Sequence, residues 1–118
     1  MSYVTGFLTP VPVANRDAYV AAAGQGWNMF KRYGALAMTE CWGDDVPDGK
    51  VTSFPLAVKK KDDEVVVFSW ITWPDKQTAD AAWAGMMQDP AMKDMQMPFD
   101  GQRMMWGGFS PIFEGAAS

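Results

Sequence analysis

Histidine is missing from this chain, cysteine occurs once, and arginine occurs at only three places, Arg16, Arg32 and Arg103. Without an imidazole there is no Ser-His-Asp triad, no HExxH zinc site, no zinc finger and no His-ligated haem. A lone Cys41 cannot form an intrachain disulfide. Basic residues are sparse: Lys and Arg total 10 against 14 Asp and Glu, for a net charge of −4 and a pI near 4.6. That balance disfavours a nucleic-acid backbone as partner. No apolar run reaches the roughly 18 residues that a membrane span needs. The opening "MSYVTGFLTPVPVANRD" lacks the basic flank and unbroken apolar centre of a signal peptide. The expectation is a cytoplasmic protein with no nucleic-acid or membrane partner.

What is present is apolar and aromatic. Hydrophobic residues make up 48% of the 118, with six Trp, seven Phe and ten Met, enough to fill the core of one domain. A single domain is expected over 1–114, with a flexible tail at 115–118. Tyr3–Thr9 reads as a strand that Pro10 and Pro12 end or place at an edge. Asn15 then offers a helix cap, Val20, Ala23, Trp27 and Phe30 form one helical stripe, and Gly34 supplies the stop. Ala35–Gly43 alternates as a strand with both faces covered, sending Met38, Glu40 and Trp42 one way and Cys41 the other. "DDVPDGK" is a turn. Residues 52–58 fit either a short strand or a helical turn capped by Thr52 or Ser53. Val65–Trp73 is the clearest strand. Pro74-Asp75 opens a helix carrying Ala79, Ala82, Trp83, Met86 and Met87 on one face, and a short turn of helix from Pro90 follows. Met104–Phe113 reads as the last strand, with Gly107-Gly108 at its centre.

The order strand, helix, strand, short element, strand, helix, strand is the ferredoxin-like split β-α-β pattern, an α+β sandwich with an antiparallel sheet and two main helices on one face. Its other face is also rich in aromatics, so a homodimer packed sheet to sheet is expected, burying about 1,200 Å² or more if the association is specific.

The blocks "YVTGFLTPVP", "GALAMTECWGDDVPDGKVTSF", "VVVFSWITWPDK", "MMQDPAMKDM" and "MPFDGQRMMWGGF", in this order, resemble the YbaA-like family of small uncharacterised bacterial proteins, a domain of unknown function. The resemblance runs from about Tyr3 to Phe113. It implies membership of the dimeric α+β barrel group, in which two ferredoxin-like protomers press their sheets together. That group includes cofactor-less monooxygenases, haem-degrading enzymes and proteins with purely structural or binding roles, so it implies no particular chemistry.

Candidate functional residues follow from position. Glu40 stands between Met38 and Trp42 on an apolar strand face, where a carboxylate needs a partner, water or a proton. It is the first candidate for an acid, a base or a ligand contact. Arg103 could clamp a carboxylate or phosphate, or pair with Glu40 or Asp100. Tyr3, Trp42, Trp70 and Trp106 are candidates to line a cavity, although aromatics at strand spacing are more often core or interface. Cys41 is expected to be a buried structural thiol. Asp44, Asp45 and Asp48 do not fit a calcium loop and read as a solvated turn. The methionines at 86, 87, 92, 95, 97, 104 and 105 suggest either packing or an adaptable binding surface. "GQG" and "WGG" lack the spacing of a phosphate loop. Neither metal nor cofactor is expected. The reading favoured is a homodimeric, non-catalytic structural or regulatory domain. The alternative is a small apolar-molecule binding protein, or a cofactor-less oxygenase- or isomerase-type enzyme using a cavity.

Overall fold

A computed structural model describes residues 2–117; Met1 of the expected domain and Ser118 of the expected tail lie outside the described residues. The chain runs β1 (Tyr3–Pro12), a 3-10 turn (Val13–Asn15), α1 (Arg16–Arg32), β2 (Ala37–Trp42), α2 (Phe54–Ala57), β3 (Glu64–Trp73), α3 (Lys76–Met86), α4 (Pro90–Lys93) and β4 (Met105–Phe109). The four strands form one antiparallel sheet in the order β2-β3-β1-β4. This is the ferredoxin-like arrangement. The expected barrel is corrected: the sheet is open. Closure needs every strand paired on both sides, whereas β2 pairs only with β3 and β4 only with β1.

The β1–β3 register fixes the two faces, because side chains alternate along a strand. Thr5, Thr9, Val67, Ser69, Ile71 and Trp73 point toward the helices and are buried. Trp73 is fully enclosed, and its indole N–H donates to the Thr5 hydroxyl at 3.0 Å. Met29 of α1 and Ala79, Ala82 and Met86 of α3 complete this core with Ile71 and Trp73. The opposite face carries Val4, Gly6, Leu8, Phe68, Trp70, Met105 and Phe109 in register. Most of it lies open.

Several expectations shift for physical reasons. Pro10 and Pro12 do not end β1, which continues to pair with Val66 and Glu64 of β3. The Val13 N–H donates to the Asp63 carbonyl, so the missing N–H groups at even positions point to the β4 side. There β4 pairing has already stopped at Leu8, and no ladder bond is lost. Of the expected α1 stripe, Trp27 and Phe30 pack against the core while Val20 is 60% exposed, and the buried positions are Tyr19, Gly26 and Met29. Asn15 makes no cap bond; its amide donates instead to the Pro98 carbonyl at 2.9 Å. Residues 52–58 resolve as α2, capped by Ser53 Oγ accepting from the Leu56 N–H. The last strand stops at Phe109, short of the expected Phe113.

Two glycines of the α1 region separate conformational need from convenience. Gly34 ends the helix at φ +107, and a Cβ there would sit 2.8 Å from Thr78 Cγ2. Gly24, inside the helix, has nothing within 4 Å of such a Cβ. Gly34→Ala is expected to destabilise the fold by at least about 1 kcal/mol, and Gly24→Ala to stabilise it by about 0.5–1 kcal/mol. Urea denaturation of the two variants reads the opposite signs directly.

Candidate functional site

Between α1, the helix-facing side of the sheet and the segment after α3 lies an apolar groove of about 180 Å³. Its floor is β1, β3 and β2, which contribute Phe7, Ile71 and Met38. One wall is the small-residue side of α1, Ala22, Ala23 and Gly26; the other is Met92, Met95, Met97, Phe99 and Met104. Gly26 lines this space, and a Cβ there would rest in ordinary contact with the Phe30 ring at 3.4 Å and Met95 Cε at 3.6 Å. Much of the methionine group noted in the sequence thus lines one cavity. Unbranched thioethers give that wall an adaptable shape.

The polar end is built from Tyr19, Glu40, Ser69 and Thr9. Tyr19 is buried, its ring 5.8 Å from that of Phe99, and its hydroxyl donates to Glu40 Oε1 at 2.7 Å. Ser69 and Thr9 are buried beneath the pair. Although Glu40 as a residue is exposed on its edge strand, partial desolvation of its carboxyl at the groove end pushes it upward from its ordinary value, while the Tyr19 and Ser69 hydroxyls pull it back by favouring the charged form. Burial and the Glu40 charge push the Tyr19 phenol upward. Tyr19 therefore stays protonated as donor, and Glu40 is the acceptor. Water still reaches Glu40, which is exposed on edge strand β2, so its second oxygen can meet an incoming molecule. An acid whose pKa is raised by folding contributes stability only while protonated, and loses that contribution as pH rises through the folded value.

Arg103 is not near this pair in its bonding. Its guanidinium forks onto Glu64, Nη1 to Oε1 at 2.7 Å and Nη2 to Oε2 at 2.6 Å. It also donates from Nε to Asp100 at 2.9 Å and from Nη1 to the Lys59 carbonyl at 3.0 Å. Glu64 is 4% exposed and also accepts from the Lys61 N–H. The arginine pins the segment bearing Phe99 and Met104 to the start of β3. Asp100 was a foreseeable partner, three residues away; Glu64 was not, because only the fold brings them together.

The aromatic candidates do not converge. Tyr3 and Trp42 lie on the helix side, Trp42 beneath the Arg16 guanidinium at 5.8 Å. Trp106 is on the same side at the β4 edge, 66% exposed and tilted against Trp83. Trp70 is on the open face, beside Phe68. Cys41 is exposed rather than buried, because β2 is an edge strand whose Ala37, Thr39 and Cys41 side has nothing packed on it. Among the described residues no group of three or more Cys, Asp or Glu is placed to hold a metal ion. No helix there is long and apolar enough to cross a membrane. Tyr19 and Ser69 escaped the sequence reading, which weighed Gly26 as part of "GQG". The usable signal was a second stripe on α1, with Tyr19, Ala22, Ala23 and Gly26 at helical spacing.

A family model described as "Protein of unknown function (DUF1428)" matches residues 2–101. The uncharacterized protein YbaA of Escherichia coli K12 is 52% identical over 116 residues, covering 97% of this chain and 99% of that one, and YbaA of Shigella flexneri matches equally. Among solved structures, a dimeric ferredoxin-like protein from an uncultured marine organism aligns with a TM-score of 0.63 at 9% identity, over 97% of this chain and 98% of that one. A variant of SnoaB, a cofactor-independent oxygenase from Streptomyces nogalater, aligns at 0.55 with 15% identity, over 95% of each chain. Identities this low establish the fold alone.

Two outcomes are expected. Glu64 and Asp100 are held below their ordinary values, first of all by hydrogen bonds from Arg103. Their contribution to stability is full above the ordinary carboxylate pKa of about 4 and is lost as pH falls through the depressed folded values. Arg103→Ala should lower the melting temperature at pH 7 and flatten its decline in acid, and adding Glu64→Leu should recover part of the loss by removing the stranded carboxylate. By contrast, Glu40→Gln keeps an acceptor for Tyr19 and removes a raised carboxyl. Its melting temperature at pH 7 should equal or exceed that of the wild type; a large fall would make Glu40 a structural residue.

Proposed function

The chain belongs to the DUF1428 family, whose members are described as of unknown function, and on its geometry we propose that it is a homodimeric protein that binds a small, largely apolar molecule. The observation that carries this reading is the Tyr19–Glu40 pair at the polar end of an otherwise apolar groove. Ligand sites commonly combine apolar walls with a few convergent polar groups. About 180 Å³ is below the roughly 300–1,000 Å³ of drug-sized sites, and suits a molecule of one or two rings. Glu40 accepts and Tyr19 is already committed as donor, so the matching ligand presents a hydroxyl or amine rather than a carboxylate.

Dimerisation is supported by the open face. Phe68 is 46% and Phe109 62% exposed there, and their rings belong to one apolar surface with Val4, Gly6 and Trp70. A patch of this composition is what a protein interface covers. A fold neighbour described as dimeric adds weight to the same reading. A second reading, an oxygenase- or isomerase-type enzyme with Glu40 as base, is favoured by the upward push on that carboxyl and by the activity named for SnoaB. It requires the same bound molecule and adds a proton transfer to Glu40.

Calorimetric titration with 2-naphthol and with naphthalene tests the binding reading. Wild type should prefer 2-naphthol by about tenfold or more, the scale of one hydrogen bond to a charged acceptor. Glu40→Gln should erase most of that preference, and Gly26→Leu should abolish binding of both by filling the groove. Equal affinities for the two probes in wild type would remove Glu40 from the site. Sedimentation equilibrium tests the dimer: Phe68→Asp with Phe109→Asp should give a folded monomer, and a wild-type monomer at micromolar concentration would end that part of the proposal.

A further inference from the structure

One wall of the groove is a strap rather than part of the sheet or of a long helix. Residues 90–99 make the single helical turn α4 and then run without regular structure to Asp100. Their Met92, Met95, Met97 and Phe99 side chains line the groove. Met97 is 54% exposed and also lines an outer cleft of about 480 Å³, with Ala18, Ala21 and Gln25 of α1. Ala22 lines both spaces as well. The seam where Ala22 and Met97 lie thus divides the apolar groove from solvent on that side.

The strap is tied unequally along its length. At its start, Asp89 accepts from the Tyr33 hydroxyl at 2.8 Å and lies 3.9 Å from the Arg32 guanidinium. At its end, Asp100 accepts from Arg103 Nε at 2.9 Å, and Arg103 is itself forked onto buried Glu64. These ties involve charged groups, which makes each roughly twice as strong as a neutral hydrogen bond. Between them, among the described residues, a single hydrogen bond holds residues 92–99 to the body of the domain. It is neutral: Asn15 Nδ2 donates to the Pro98 carbonyl at 2.9 Å. Asn15 stands where asparagine ordinarily caps a helix, yet its side chain makes no cap bond on α1. What else holds the middle of the strap is the contact of its thioethers, which repack readily.

We propose that residues 90–99 are a gate over the groove, hinged at Asp89 and Asp100 and latched by the Asn15–Pro98 bond. A small apolar molecule enters and leaves when the latch opens. This gate presupposes the binding reading above and adds how the site is reached. Entry and exit then share one open state, so raising its population speeds both by the same factor and leaves the affinity nearly unchanged. A residue that only supported the bound state would change dissociation alone.

Asn15→Asp keeps the side-chain shape and removes both N–H donors. With Cys41→Ser and Ala23→Cys as a reporter in the groove, Asn15→Asp should speed labelling by dithiobis-nitrobenzoate about three- to tenfold, the scale of one neutral hydrogen bond. Hydrogen exchange of the β3 amides should stay unchanged. Equal labelling rates with and without the latch overturn the gate, and so does an acceleration accompanied by faster exchange throughout β3, which reports loss of the fold. In stopped-flow fluorescence with 2-naphthol, Asn15→Asp alone should raise the association and dissociation rate constants together, at nearly constant Kd. A rise in dissociation alone overturns the gate and makes Asn15 a support of the wall. If wild type binds no 2-naphthol while labelling still accelerates, the ligand reading falls and the gate stands.

Discussion

The pairing of β1 with β3 over ten residues is the constraint from which the rest follows. Strand parity assigns each side chain to one face, and a slip by a single residue would exchange the two faces. In this register Thr5 and Trp73 meet under the helices and close the buried indole–hydroxyl bond. The same register sets Ser69 and Thr9 beneath Tyr19 and leaves Phe68 and Trp70 on the uncovered side. The groove and the open face are two consequences of one ladder.

On the helix side, the groove exists because α1 meets the sheet through small residues. Ala22, Ala23 and Gly26 keep the helix wall low, and the methionine-bearing segment 92–104 covers what remains. That segment has little regular structure, and it is held at its far end by Arg103 on Glu64 and Asp100 and at its middle by Asn15 on Pro98. The two acidic groups play opposite roles. Glu64 is buried, fully paired and lowered, so it serves the fold. Glu40 is raised, accepts from the Tyr19 hydroxyl and is reached by solvent, which is why it carries the proposed ligand contact.

The sequence made the element order and the ferredoxin-like topology legible because hydrophobic periodicity and turn residues act locally. Glu40 stood out for a related reason: a carboxylate between Met38 and Trp42 is an anomaly visible along one strand. What it faced was not visible, because Tyr19 lies on a helix 21 residues away and is aligned only by packing. Arg103 and Glu64, 39 residues apart, were hidden in the same way. Cys41 was misplaced because alternation shows which residues share a face but not whether anything covers it. The barrel expectation erred at that same level, since closure depends on what pairs with the outer edges of β2 and β4, and among the described residues no strand does.

The central claim is that Glu40 is the acceptor for a ligand in this groove. Its most direct test is a ¹³C-carboxyl NMR titration of Glu40, alone and saturated with 2-naphthol. Without the probe the midpoint should lie above the ordinary glutamate value of about 4.3. With the probe it should fall, because a hydrogen bond donated to the carboxylate favours its charged form. A midpoint at the ordinary value that the probe does not move would contradict the claim.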